Sequence, residues 1–219
     1  MQKYMPFNDD IKKNPDRKYI AGAYSTWDME LSQLLKEPKT SLTKLYKTAN
    51  SKVSVAKAKE FDDYVFSVFK DEINRSAKLM ALGRNFKSLD IDKKVFLAQD
   101  IVDNVTIVIN QVKKSEIPNL IIKNTTEIKA AAMGFFDKII YMNLMNKDYF
   151  EDREDFITVL MHEYVHAIDF FAPQISPLGA QVSHLSRQYD VSQRPRLHVL
   201  NPMEINAYGG YYKFGHRQK

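Results

Sequence analysis

The sequence predicts an α+β fold. Three observations carry that expectation: two long stretches with apolar residues at three- and four-residue steps, three short apolar pieces of strand length after them, and one long apolar helix at the end.

Taken in order, residues 1 to about 50 are irregular, with Pro6, Pro15 and Pro38 as breakers and Trp27 the lone tryptophan. From about Val55 to Leu82 the pattern turns helical. Phe61, Val65, Val68, Phe69, Ile73, Ala77 and Met80 form a stripe, and Gly83 stands where a helix C-cap belongs. The stripe reads as core packing. A second helix is expected over Asp92 to Lys113, burying Leu97, Ile101, Val105, Val108 and Val112. Its β-branched run from Val105 to Ile109 would also suit a strand, but the helical spacing persists for about five turns. Asn119 to Lys123, Ile128 to Phe136 and Ile139 to Leu144 then read as three strands with tight connections. A long apolar helix runs from Asp152 to Phe171. Acidic residues crowd its start, where the helix dipole favours them, and Pro173 marks its end. Two regions follow from this pass: a mostly helical segment, 1–90, and a second unit, 91–219.

A chain of 219 residues is long enough for one sizeable core, or a core plus a smaller lobe. It contains no cysteine, which removes disulfides, thiolate metal sites and cysteine nucleophiles together. Any metal must therefore sit on His, Asp or Glu. The net charge of +5 is spread along the chain without a block of like charges, and it reads as a solvated lysine-rich surface rather than a nucleic-acid footprint. Met1 to Pro6 lack the apolar run of a signal peptide, and no stretch approaches a membrane span. The expectation is a soluble protein, cytoplasmic or exported by a non-standard route.

The chemistry is concentrated in the long apolar helix over 152–171. His162 and His166 lie four residues apart, so one helical turn stacks both imidazoles on the same face, close enough to chelate one tetrahedral ion. Glu163 sits beside them, where it reaches a metal-activated water without being a ligand. All five histidines fall after residue 161. By composition alone the pattern His-Glu-x-x-His arises in about one such sequence in two hundred. The plain alternative is a helix whose histidines only hydrogen-bond in the core.

A catalytic zinc needs a third protein ligand and an open fourth position. Glu204 is the preferred candidate: Asn201 reads as an N-cap and Pro202 as the first helical residue, which puts Glu204 in the first turn of a new helix. The same spacing also describes a capping box. His184 and His198 are the other candidates. Asp169, on the same face as His166, is better placed to orient a ligand than to bind zinc.

His162-Glu163-x-x-His166 followed by a downstream Glu resembles the zincin metallopeptidases of the gluzincin type, over roughly residues 92 to 214. The resemblance implies one zinc ion per chain, a backing helix and small mixed sheet packed on the active-site helix, and a protein or peptide substrate lying along the sheet's edge strand. Lys138 to Leu144 match that edge strand in position and character. It also implies a donor to the oxyanion, for which Tyr208, Tyr211, Tyr212 and His198 are the local candidates. Two departures stand out. Asp169 and Ala172 occupy the places of the metzincin Gly and third His, and Tyr208 stands where thermolysin-like sequences carry an Asp. The pattern fits neither of these well-known subfamilies, and residues 1 to about 90 lie outside the resemblance.

The reading is therefore a zinc metalloendopeptidase, with His162, His166 and Glu204 on the metal, Glu163 as general base, and Tyr208 and His198 as further catalytic candidates. One rival is a non-catalytic binding or assembly protein that keeps the fold. The other is a DNA-associated protein drawing on the modest basic excess.

Overall fold

The computed structural model describes residues 52–177 apart from 135 and 148. In chain order these form α1 (Lys52–Arg75), α2 (Ala77–Arg84), one turn of 3-10 helix (Phe86–Ser88), α3 (Ile91–Lys113), β1 (Ile121–Asn124), β2 (Ala131–Gly134), β3 (Ile139–Met142) and α4 (Arg153–Phe171). The fold is α+β.

The single helix expected over 55–82 is in fact two. Ser76 ends the first and caps the second: its Oγ accepts from the Leu79 N–H at 3.2 Å and its carbonyl from the Met80 N–H at 2.9 Å. The break resets the helical phase. Phe61, Val65, Val68, Phe69 and Ile73 are buried as expected, but Leu79 takes the inward place beyond the break, Ala77 is exposed and Met80 half-buried. Gly83 lies inside α2, which runs on to Arg84, so it is not the C-cap.

In α3 the helical spacing prevails over the β-branched run. Asp90 caps it, accepting from the Lys93 N–H at 2.8 Å and from Lys93 Nζ at 2.7 Å. The buried stripe steps by four residues, through Leu97, Ile101, Val105 and Ile109. It drifts around the helix as it goes, which leaves Val108 half-buried and turns Val112 out to solvent at 61% exposure.

The three strands form one sheet in the order β1-β3-β2. β3 runs parallel to β1, with Ile139 beside Ile121, and antiparallel to β2, with Tyr141 beside Ala132. Residues 138–144 therefore supply the central strand and not the edge strand. The chain crosses from β1 to the far side of the sheet for β2, and the hairpin back from β2 inserts β3 between them. Ile122, Met133, Ile140 and Met142 face the core, while Ile121, Lys123 and Ala132 face solvent.

The two edges of the sheet differ. Along β1, the Gln99 amide of α3 takes the place of a neighbouring strand: Oε1 accepts from the Ile122 N–H and Nε2 donates to the Leu120 carbonyl, both at 2.8 Å. Asp103 Oδ1 holds the same Nε2 at 2.8 Å. Along the outer side of β2, no described residue forms such a bond. β2 is also the strand that lies against α4.

Helices α1 and α2 share the core of the strands and α4. Phe69 meets Tyr164 edge-on with ring centroids 5.4 Å apart, and Phe86 packs on Phe156 at 4.8 Å. One cluster of buried side chains runs from Phe61 to Ala172, with no break near residue 90. Among the described residues, no helix is long and apolar enough to cross a membrane.

Candidate metal centre

α4 begins at Asp152, whose carboxylate accepts from the Asp155 N–H at 2.9 Å. Such a cap contributes about 1 kcal/mol and fixes where the helix starts, hence which residues share a face. From Phe156 to Asp169 every residue is buried except His162, which is half-buried. Over that stretch the helix is enclosed on nearly all sides, and the one partly open position is a histidine of the motif.

The helix rotation is set from behind. Tyr164, between the two histidines in sequence, turns inward, and its phenol oxygen lies 3.0 Å from Thr106 Oγ1 on α3. Burial pushes the Tyr164 phenol well above its ordinary pKa, with the Thr106 bond offsetting part of the shift. Anchored there, α4 points residues 162 and 166 away from α3. His162 Nε2 and His166 Nε2 approach to 3.1 Å, with ring centroids 4.6 Å apart and ring planes at 85°.

That separation can be tested against a metal. Two imidazole nitrogens at zinc–nitrogen distances of about 2.05 Å and a tetrahedral angle stand roughly 3.3 Å apart. At 3.1 Å the pair fits a tetrahedral ion with the angle closed to about 100°. The same distance also suits a direct hydrogen bond in which one Nε2 carries the proton. Glu163, next along the helix, is buried. Its place next to His162 in sequence makes it the candidate for moving a proton.

Among the described residues, no group of three or more His, Asp or Glu side chains gathers around one point. The histidine pair is a two-donor set. The other expected participants, Glu204, His184, His198, Tyr208, Tyr211 and Tyr212, lie outside the described residues. Asp169 is buried on the histidine face and accepts a hydrogen bond from Ser176 Oγ.

Two features escape the sequence. Gln99 reads as one polar residue on a helix face, and nothing in its neighbours foretells that it closes a sheet edge. Ser176 stands beyond a proline in an apparent loop, seven residues from the carboxylate it meets.

No family model matches this chain, and no curated protein or solved structure matches it.

Proposed function

We propose that this chain is a zinc-dependent metallopeptidase with a zincin-like arrangement of backing helix, small sheet and motif helix. One observation carries the reading: His162 Nε2 and His166 Nε2 stand 3.1 Å apart, the half-buried His162 beside the buried His166, on a helix otherwise buried from Phe156 to Asp169. The buried Glu163 lies next to them.

His162 and His166 would hold the metal, with Glu204 as the proposed third ligand. Zinc bound there supplies a Lewis acid and a water of lowered pKa. Glu163 would serve as general base and then as the acid towards the leaving amine. Tyr208 and His198 are the proposed donors to the oxyanion. Among the described residues β2 is an edge strand, which supports the substrate class, because an extended peptide can pair with a strand edge through main-chain hydrogen bonds. That role passes from residues 138–144, which lie at the centre of the sheet, to Ala131–Gly134.

A second reading keeps the fold as a binding or assembly module. It draws on the same 3.1 Å separation, taken as a hydrogen bond between the imidazoles.

The deciding measurement is metal content by mass spectrometry on protein purified without chelator, beside a Glu204→Ala variant. About one zinc per chain, lost in the variant, supports the three-ligand centre. Absence of zinc even after reconstitution removes the peptidase reading and leaves the binding module. Zinc retained in the variant moves the third ligand to His184 or His198.

A further inference from the structure

The end of α4 carries a device that the motif itself does not use. Ala172 closes the helix with its N–H on the Ile168 carbonyl at 2.9 Å, and the Ile175 N–H then bonds to the Ala172 carbonyl at 3.0 Å. This tight turn, with Pro173 inside it, folds the chain back so that Ser176 Oγ donates to Asp169 Oδ1. Both residues are buried.

The direction of the fold-back matters. At about 100° per residue, positions 162, 166 and 169 fall within roughly 60° of arc on α4. Helical side chains also lean towards the helix N-terminus, so Asp169 leans towards His166. The hydrogen bond sets Ser176 beside Asp169, one turn beyond His166.

We propose that the Asp169–Ser176 hydrogen bond is a positioning element of the metal centre. It ties the turn that leaves α4 back to the helix, and it fixes a buried carboxylate one turn beyond His166. The inference rests on the zinc reading above. A carboxylate held in one place a turn beyond a ligand limits how far that ligand can turn. Neither residue touches the reacting atoms; both act through the ligands.

The test compares zinc affinity, by competition with a chromophoric chelator, with the thermal midpoint of the metal-free protein. Three full-length chains are measured: wild type, Ser176→Ala and Asp169→Asn. Ser176→Ala is expected to weaken zinc binding ten- to hundredfold, the usual effect of losing an outer-shell partner, while shifting the metal-free midpoint by only a few degrees. The visible spectrum of the cobalt-substituted variant should report an altered coordination geometry. Asp169→Asn keeps an acceptor and the packing, and is expected to weaken zinc binding by a comparable factor. It decides the matter if Ser176→Ala fails to fold. Affinities within threefold of wild type, whatever the change in melting, would overturn the proposal and leave the pair as a helix stop. A wild-type chain that binds no zinc overturns the underlying reading instead.

Discussion

The phenol oxygen of Tyr164 and the hydroxyl of Thr106 meet at 3.0 Å between α4 and α3, sealed from solvent on both sides. The contact does more than satisfy two buried polar atoms. Tyr164 stands two positions from each histidine, so roughly 200° of helical rotation separates its direction from theirs. Pinning the tyrosine inward therefore aims the imidazoles outward. Packing supports the pin, since Phe69 lies edge-on to the same ring.

Tyr164→Phe should cost about 1 kcal/mol at neutral pH, because Thr106 can turn its hydroxyl to a carbonyl of its own helix. A second consequence appears at high pH. The folded-state pKa of Tyr164 is raised above that of an unfolded tyrosine, so its contribution is fully present below about pH 10 and is lost as pH climbs towards the folded value. Urea denaturation in chelator between pH 8 and 11 should show wild type losing stability faster than Tyr164→Phe. Parallel curves would contradict the assignment.

Glu163→Gln separates chemistry from metal binding. The amide keeps the shape of the carboxylate but does not accept a proton from water. Zinc content should stay near that of wild type while peptide hydrolysis falls by about two to four orders of magnitude. A variant that keeps full function would favour the binding module.

Gln99→Ala unseals the β1 edge. The Ile122 N–H and Leu120 carbonyl lose their partner, and the exposed Ile121 lies beside them. An open strand edge invites pairing with a second chain. Sedimentation velocity across a concentration series should show self-association of the variant beyond that of wild type.

Gly134→Ala probes the β2–β3 hairpin. A Cβ at that position would stand 2.2 Å from Asp137 Oδ1 and 3.0 Å from the Tyr141 ring. Asp137 would have to swing away, giving up its bonds to the Ile139 N–H and to Tyr141 Oη, now at 3.2 Å and 2.6 Å. A loss of about 1–2 kcal/mol is expected in thermal or urea unfolding.

Periodicity carried the helices into view, and motif spacing the histidine pair. Leu97, Ile101 and Val105 repeat at helical steps, and His162 and His166 share a face by geometry alone. What stayed hidden depended on single side chains or on long-range order. The Ser76 hydroxyl divides a stripe that looks continuous, because a cap competes with helix propagation locally and leaves the apolar spacing intact. Strand order is a second case. Residues 139–142 are apolar enough for any position in the sheet, and only the path from β1 across to β2 makes them central. Ser176 and Gln99 belong to the same class, each meaningful only beside a partner that the sequence does not place near it.

The strand order also sets a timetable for assembly. β2 and β3 are neighbours in sequence, and a hairpin of this kind closes in about 1–10 μs. β1 has no such local partner. It gains its ladder only once β3 is in place, although Gln99 can engage it earlier from α3. Parallel pairing must wait for the larger loop to close, which places the β1–β3 seam among the late, slow contacts. An amide that holds β1 in strand-like company during that wait would guard the chain when its edge is most open to a wrong partner.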